Sequence, residues 1–429
     1  MDVHHLRTDS LPRVKVLVIG AGAREHALCR SMAGDPEVSA VACAPGNAGT
    51  ATVAEQLGVD PADPDSVARL AAGWGADLVV IGPEGPLVAG VADAVRRQGI
   101  ACFGPSADAA RLEGSKAFAK QIMAAAGVPT AMAHVCDTAA EAAAALDAFG
   151  PPYVVKDDGL AAGKGVVVTD DRQVAVAHAA AAGRVVIEEY LDGPEVSLLC
   201  LTDGHSVVPL QPAQDFKRAG DGDTGPNTGG MGAYSPLPWA PPGLVDDIVE
   251  RVVQPVVDEL ARRDSPFVGV VYAGLAMTSQ GPRVIEFNAR FGDPETQVVL
   301  ARLRTPLAGI LMAAATGKLD LVEPLRWDDD AAVTVVLAAD GYPAGARTGD
   351  RIDGLDRAQQ IEGAFVLHAG TRTDTDGILL SAGGRVLSVT ATGHDLAQAR
   401  DRAYQAIAQI HLPGGHYRSD IALAAAAAP

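Results

Sequence analysis

Apolar positions along this chain fall into short β-branched runs separated by glycine-rich turns and by stretches of helical period. Residues 14–19 read as a strand, Gly20-Ala21-Gly22 as a turn, and the next residues as a helix bearing Arg24, Glu25 and His26. Strand-like runs at 38–44 and 77–81 end in Pro45-Gly46-Asn47 and Gly82-Pro83-Glu84. Strand, tight turn, helix and strand in alternation predict an α/β fold with a doubly wound parallel sheet. Ligands of such sheets lie beyond the carboxyl ends of the strands, so the three turns should converge.

The pattern then changes. Ser106 and Ser115 read as helix N-caps, Gly127 as a helix stop, and Thr138 with Glu141 as a capping box. Runs 153–156 and 166–169 predict two strands around the loop DDGLAAGKG, and 185–190 predicts another, which makes a compact α+β module. The stretch 215–234 is too polar and glycine-rich for core and reads as a long functional loop. A helical segment near 244–262, strands at 268–277 and 284–288, and a last α/β module with strands at 333–337 and 385–390 and a helix at 395–410 complete the chain. The alanine run 424–428 reads as frayed. The expected divisions are an extension 1–12, a doubly wound domain 13–113, a linker helix 114–127, an α+β lid 128–191, a central domain 192–330 and a C-terminal domain 331–429.

Composition narrows the function. In 429 residues, 34 Lys and Arg face 53 Asp and Glu, a formal net charge of -19, and 4% are aromatic. A nucleic-acid binder needs a basic face and stacking rings, so none is expected. Apolar runs break before the roughly 18 residues of a membrane span, and residues 1–12 lack the apolar core of a secretory signal. The five scattered cysteines form no CxxC pair, which argues against a zinc site or a disulfide framework. A cytoplasmic protein acting as a monomer on small molecules is the expectation.

Four motifs carry candidate chemistry. GAGAREH departs from the dinucleotide fingerprint, because Glu25 stands in the third glycine's place and the second strand ends in Pro45-Gly46 rather than in an acid. What remains is a phosphate-type turn at a helix N-terminus, although any doubly wound sheet has such a turn. The loop 157–165 is not a Walker A motif, since Gly165 replaces Ser/Thr and a strand follows. It can fold as a flap over a triphosphate, with Lys156 beside it, or be a plain surface hairpin. Glu188 and Glu189 are strand neighbours, so one of them can face a pocket and the other solvent. Glu286 and Asn288 share one strand face and suit Mg²⁺, which keeps phosphate oxygens as further ligands. Arg290 follows at the same period and can clamp an anion.

Together, GLAAGKG, EEYLDG and IEFNARFGDPET resemble the ATP-grasp superfamily. With REHA, APGNAGT, GPE, LEGSKAF, DGDTGPNTGGMGAYSP and RFGDPETQ, the chain resembles its phosphoribosylamine–glycine ligase (glycinamide ribonucleotide synthetase) family from about residue 13 to residue 421. The resemblance implies ATP-dependent ligation of glycine to 5-phosphoribosylamine through glycyl phosphate, in de novo purine biosynthesis, with Mg²⁺ or Mn²⁺. It places Lys116, Lys156, Gly163, Lys164 and Gly165 at the ATP phosphates. The hinge residues Glu188, Glu189, Tyr190 and Leu191 would lie at the adenine, and Glu195 at the ribose. Glu286 and Asn288 would hold the metal. Gly20, Gly22, Arg24, Glu25, Asn47 and Glu84 would face phosphoribosylamine. Asp215, Lys217, Asp223, Thr228, Gly229, Gly230, Arg290, Gly292 and Asp293 would surround glycine and the acyl phosphate, with Lys156 and Arg290 catalytic. Arg24, Lys116, Lys156, Lys164, Lys217 and Arg290 would form a cationic cluster focusing field in the cleft. The chain departs from the family pattern at Asp157, a second acid that would weaken the flap's hold on phosphate, in a short 176–185 segment, and in the first twelve residues. A related carboxylate–amine ligase or carboxylase of the superfamily would share the ATP half but not DGDTGPNTGGMGAY, and a nucleotide sensor would not need Glu286, Asn288 and Arg290.

Overall fold

The computed structural model describes residues 13–160 and 165–427. Gly163, Lys164, the extension 1–12 and the last two residues of the chain lie outside that range. Near the N-terminus, five parallel strands run in the order Glu55–Gln56, Val38–Pro45, Val14–Gly20, Leu78–Ile81, Ala101–Phe103. Helices such as Ala23–Ala33 and Pro64–Trp74 cover it. The strand order reverses beside Val14–Gly20, so the turns at 20–22 and 82–84 open at the switch point. Val16 and Val18 face one core while Leu17 and Ile19 face another, which is why both parities of this strand are apolar.

The lid is a four-stranded antiparallel sheet in the order Ala133–Cys136, Val185–Glu188, Tyr153–Asp157, Val166–Thr169, backed by helices Ala139–Phe149 and Arg172–Ala182. Its small core holds Leu146, Val155, Val185 and Ile187. The caps read from sequence are present: Ser106, Ser115 and Thr138 accept from the backbone N–H three residues on, and Gly127 adopts φ +67°.

The central sheet runs Val207–Pro209, Glu195–Asp203, Val268–Thr278, Gly281–Asn288, all antiparallel. Val196, Leu198, Cys200, Val271, Ala273 and Phe287 fill the core on one face. The opposite face carries Glu195, Ser197, Tyr272, Glu286 and Asn288, because Ser197 pairs with Gly274, Gly274 with Glu286, and Tyr272 with Asn288.

Five expectations change. The polar stretch 215–234 is structured: Arg218–Gly220 and Thr224–Asn227 form a hairpin, and Gly232–Ser235 is a buried strand. That strand joins Gln214–Asp215, Ala331–Ala338, Arg385–Gly393 and Ala364–His368 in one sheet, so a sheet runs across residue 330. The strand expected at 185–190 ends at Glu188. The helical segment 244–262 contains a π-helical turn, Val249–Val253, just before Pro255, which supplies no N–H to the ladder. The alanine run begins in a short helix, Leu423–Ala426, packed against helix Leu396–Ile407 rather than frayed. All five cysteines are free and buried, and among the described residues no helix is long and apolar enough to cross a membrane.

Candidate functional site

The three N-terminal turns do converge. Gly46 N–H donates to the Gly20 carbonyl at 3.0 Å, and Asn47 Nδ2 donates to the Ala21 carbonyl at 2.9 Å. The phosphate-type turn, however, is occupied by the chain's own anion. Glu25 accepts from Gly22 N–H at 2.5 Å and from Arg24 Nε at 2.5 Å. A Cβ on Gly82 would lie 1.9 Å from Glu25 Oε1, so the carboxylate fills the space that a third glycine would leave open. A carboxylate at a helix N-terminus answers the same unpaired N–H groups and dipole that a phosphate would. Asn47 is also a brace. Its Oδ1 accepts from Gly49 and Thr50 N–H, and its Nδ2 also donates to the His368 carbonyl at 2.8 Å. His26 is buried; its Nδ1 accepts from His368 N–H, and burial, then His368, lowers its pKa to about 3.

Arg290 sits where the N-terminal and central sheets meet. Its Nε lies 3.1 Å from Glu84 Oε2 and its Nη2 3.2 Å from Glu113 Oε1, and Nη1 donates to the Phe291 carbonyl. Arg24 Nη1 donates to the same carbonyl at 3.1 Å. Burial opposes the Arg290 charge, but Glu113 and Glu84 outweigh it and push its pKa up. Burial pushes Glu84 up as well; Arg290 and then Arg24 override that and hold it below the usual carboxylate range. For Glu113 burial prevails and the pKa is raised.

At the base of the lid, Glu188 bridges two lysines. Its carboxylate lies 2.8 Å from Lys156 Nζ and 3.1 Å from Lys120 Nζ, and both it and Lys156 are 3% exposed. Lys156 also donates to the Ile285 carbonyl at 2.8 Å, tying the lid to the strand of Glu286. Glu189, expected in solvent if Glu188 faced the cleft, is instead paired with Arg283 at 3.1 Å and accepts from Met132 N–H. Tyr190 is exposed and Leu191 half-buried. Lys116 donates to the Gly159 carbonyl, and Gly165 is buried, its carbonyl accepting from Asp157 N–H. Asp157 has a partner of its own. It alternates with Lys156 and meets His178 Nε2 at 2.8 Å on the lid helix.

On the polar face of the central sheet, Lys217 pairs with Glu195 and with Asp215, the latter at 3.3 Å. Desolvation opposes the Lys217 charge, but Asp215 and Glu195 prevail and hold it protonated. Arg290 Nη2 is 3.5 Å from Asn288 Oδ1. Among the described residues no group of three His, Cys, Asp or Glu side chains forms a cage. One carboxylate and one amide oxygen on a shared face fit a hard cation that completes its shell with phosphate oxygens. The cationic cluster read from sequence is therefore largely neutralised: Arg24, Lys156, Lys217 and Arg290 each have a carboxylate partner.

Several sequence-derived residues make contacts within the chain. Asp223 lies on the exposed hairpin and binds Arg418 at 2.7 Å, where the hairpin meets the chain's C-terminal segment. Thr228 Oγ1 donates to the Lys217 carbonyl, Gly229 receives Arg385 Nη1 on its carbonyl, and Gly230 at φ +112° abuts Pro294. Asp293 is half-buried, accepts from Gln297 Nε2 at 2.7 Å and lies 3.4 Å from Arg385; a Cβ on Gly292 would strike Glu295. Sequence reasoning assigned no role to Glu113, Lys120, Ser197, Tyr272 or Glu295. Glu113 and Glu295 lie inside quoted motifs, and Ser197 and Tyr272 share the period-two face of Glu195 and Asn288, which is the signal that could have found them.

Residues 14–113, 114–296 and 332–424 match the N, ATP-grasp (A) and C domains of phosphoribosylglycinamide synthetase. The chain is 69% identical over 417 residues to the phosphoribosylamine–glycine ligase of Streptomyces coelicolor, spanning 97% of this chain and 100% of that relative. It is 60% identical over 422 residues to the like-named protein of Mycobacterium tuberculosis, spanning 96% and 99%. The crystal structure of the phosphoribosylamine–glycine ligase from Thermotoga maritima matches with a TM-score of 0.82 at 32% identity, covering 95% of this chain and 100% of that one. The biotin carboxylase domain of a Hydrogenobacter thermophilus 2-oxoglutarate carboxylase, at 17% identity and a TM-score of 0.72 over 95% and 92%, shares the fold. With three successive domain models matched and relatives aligned over nearly their full length, the chain belongs to the phosphoribosylglycinamide synthetase family, built on the ATP-grasp fold.

Proposed function

We propose that this chain joins glycine to 5-phosphoribosylamine, converting ATP to ADP and phosphate and forming glycinamide ribonucleotide. The observation that carries the reading is the meeting of three parts at one cleft: Lys156 on the lid, the Glu286–Asn288 face, and Arg290 bound by Glu84 from the N-terminal sheet. Glycine's carboxylate attacks the γ-phosphorus and ADP leaves. The amine then attacks glycyl phosphate and phosphate leaves. Lys156, held by Glu188 and the Ile285 carbonyl, and Lys116 bind the ATP tail, residues 188–191 border the adenine, and Glu195 the ribose. Glu286 and Asn288 would hold Mg²⁺ or Mn²⁺, which supplies charge neutralisation at phosphate oxygens. Arg290 orients the acyl phosphate, and Asp215 with Lys217 borders the glycine. Closure of the lid excludes water, which would otherwise hydrolyse the acyl phosphate. The enzyme acts as a monomer in the cytoplasm. A coupled ADP assay tests this. ADP release should require both glycine and freshly made phosphoribosylamine, and release indifferent to glycine would refute the reading.

A further inference from the structure

Four polar side chains form one continuous line beside the central sheet's polar face: Ser197 and Tyr272 on that sheet, Asp215 on the short strand Gln214–Asp215, and Glu295 at the start of helix Glu295–Arg302. Tyr272 OH donates to Glu295 Oε1 at 2.6 Å, the Tyr272 and Ser197 hydroxyls are 2.8 Å apart, and Ser197 Oγ donates to Asp215 Oδ1 at 3.4 Å. Glu295 is 3% exposed, Ser197 2% and Tyr272 5%, so bulk water does not serve these links. Only beyond Asp215, at Lys217 and Glu195, does the line reach partly exposed side chains.

Counting hydrogens shows what the line can do. With both carboxylates ionised, the two hydroxyls supply two hydrogens for the three links Glu295–Tyr272, Tyr272–Ser197 and Ser197–Asp215. One link must then go unmade, leaving two oxygens face to face. A single added proton completes the set. It can rest at either end, since reversing both hydroxyls moves it from Asp215 to Glu295 without moving a heavy atom. The long Ser197–Asp215 link is the weak one of the three.

We propose that Asp215, Ser197, Tyr272 and Glu295 form a relay that takes up the proton released by the substrate amine and carries it to Glu295. The proposal rests on the ligase reading above. As the amine nitrogen bonds the glycyl carbon, the carbon–oxygen bond to phosphate breaks and phosphate departs with the electron pair. The amine's proton passes to Asp215, Asp215 hands it on to Ser197, the Ser197 hydrogen passes to Tyr272, and the Tyr272 hydrogen passes to Glu295, so both hydroxyls end neutral and reversed, Asp215 is again ionised and Glu295 holds the proton. Glu295 never touches substrate; it acts through Tyr272 and Ser197, which position Asp215 as well as conduct. Burial, then Asp215, raises the Glu295 pKa to about 7, in the range where a store must both fill and empty. The charged and titratable groups around it are Asp215, Lys217, Tyr272 and Arg290, with Glu195 and Glu286 acting on it through Asp215 and Lys217.

The test compares Glu295→Gln, Tyr272→Phe and Ser197→Ala in steady-state kinetics between pH 6 and 9, with ADP release as readout. Each should lower kcat by about 100-fold, with KM for ATP within about twofold of wild type, and abolish the rise of kcat through neutral pH. Tyr272→Phe combined with Glu295→Gln should be no worse than either alone, because both cut one path. Wild-type kcat and pH profile in the variants, multiplicative losses in the double variant, or losses confined to KM would each overturn the relay. Should Tyr272→Phe fail to fold, Ser197→Ala cuts the next link with the loss of one oxygen and decides the matter. If the wild-type protein shows no glycine-dependent ADP release, the ligase reading fails rather than the relay.

Discussion

Replacing Glu188 by alanine should unfold the lid while the rest of the molecule stands. Glu188 lies between Lys156 and Lys120 at 2.8 and 3.1 Å, out of water. Its removal leaves two buried ammonium groups without a counter-charge, a change of the kind that costs about 3–5 kcal/mol. The backbone carbonyls of Ile285 and Ala131 still accept from these lysines, so the low end, about 3 kcal/mol, is the better estimate. A module of roughly 60 residues has about 3–9 kcal/mol in hand, so the loss is comparable with the lid's whole stability. Hydrogen exchange reads this directly. Amides of strands Tyr153–Asp157 and Val185–Glu188 should lose about two orders of magnitude of protection, while those of Val14–Gly20 keep theirs. ATP at about 100 times its dissociation constant should restore up to about 2.7 kcal/mol by binding the folded lid. Wild-type protection of the lid strands in Glu188→Ala would refute the reasoning, since it would mean that the two ammonium groups never depended on the carboxylate.

Lys156→Ala should lower turnover more than about tenfold with the N-terminal and central sheets intact by circular dichroism, because the ATP tail loses its buried cation; wild-type turnover would exclude the role. The buried pair His26 and His368, held neutral with pKa values of about 3 and about 4, takes up no proton in the folded state until strongly acid pH. The unfolded chain binds both protons below about pH 6.5, so stability is complete above that value and falls as pH drops toward 4. His368→Gln should remove one proton from that slope in acid melts, and an unchanged slope would count against it. Gly82→Ala should cost about 1–3 kcal/mol in denaturant melts, since its methyl would displace the Glu25 carboxylate; a neutral substitution would show that Glu25 is free to move.

The elements that local rules govern were legible in the sequence. Strand 14–19, its tight turn, the caps at Ser106, Ser115 and Thr138, and the strand-face partnership of Glu286 with Asn288 all follow from period and cap chemistry acting within a few residues. The fold class and the family resemblance came from the same runs. Tertiary structure alone decided which charges meet. Arg290 finds Glu84 across 206 positions and Lys156 finds the Ile285 carbonyl across 129, and no local pattern encodes such pairings. Glu25 shows the consequence. From sequence its turn reads as an anion site, yet the packing of Gly20, Gly22 and Gly82 around the carboxylate makes Glu25 itself the anion. Likewise the polar stretch 215–234 becomes strands because neighbours from the C-terminal part of the chain supply hydrogen-bond partners that its own residues cannot announce. Period and caps depend on nearest neighbours, whereas pairing of buried charge depends on where the whole chain brings its distant segments.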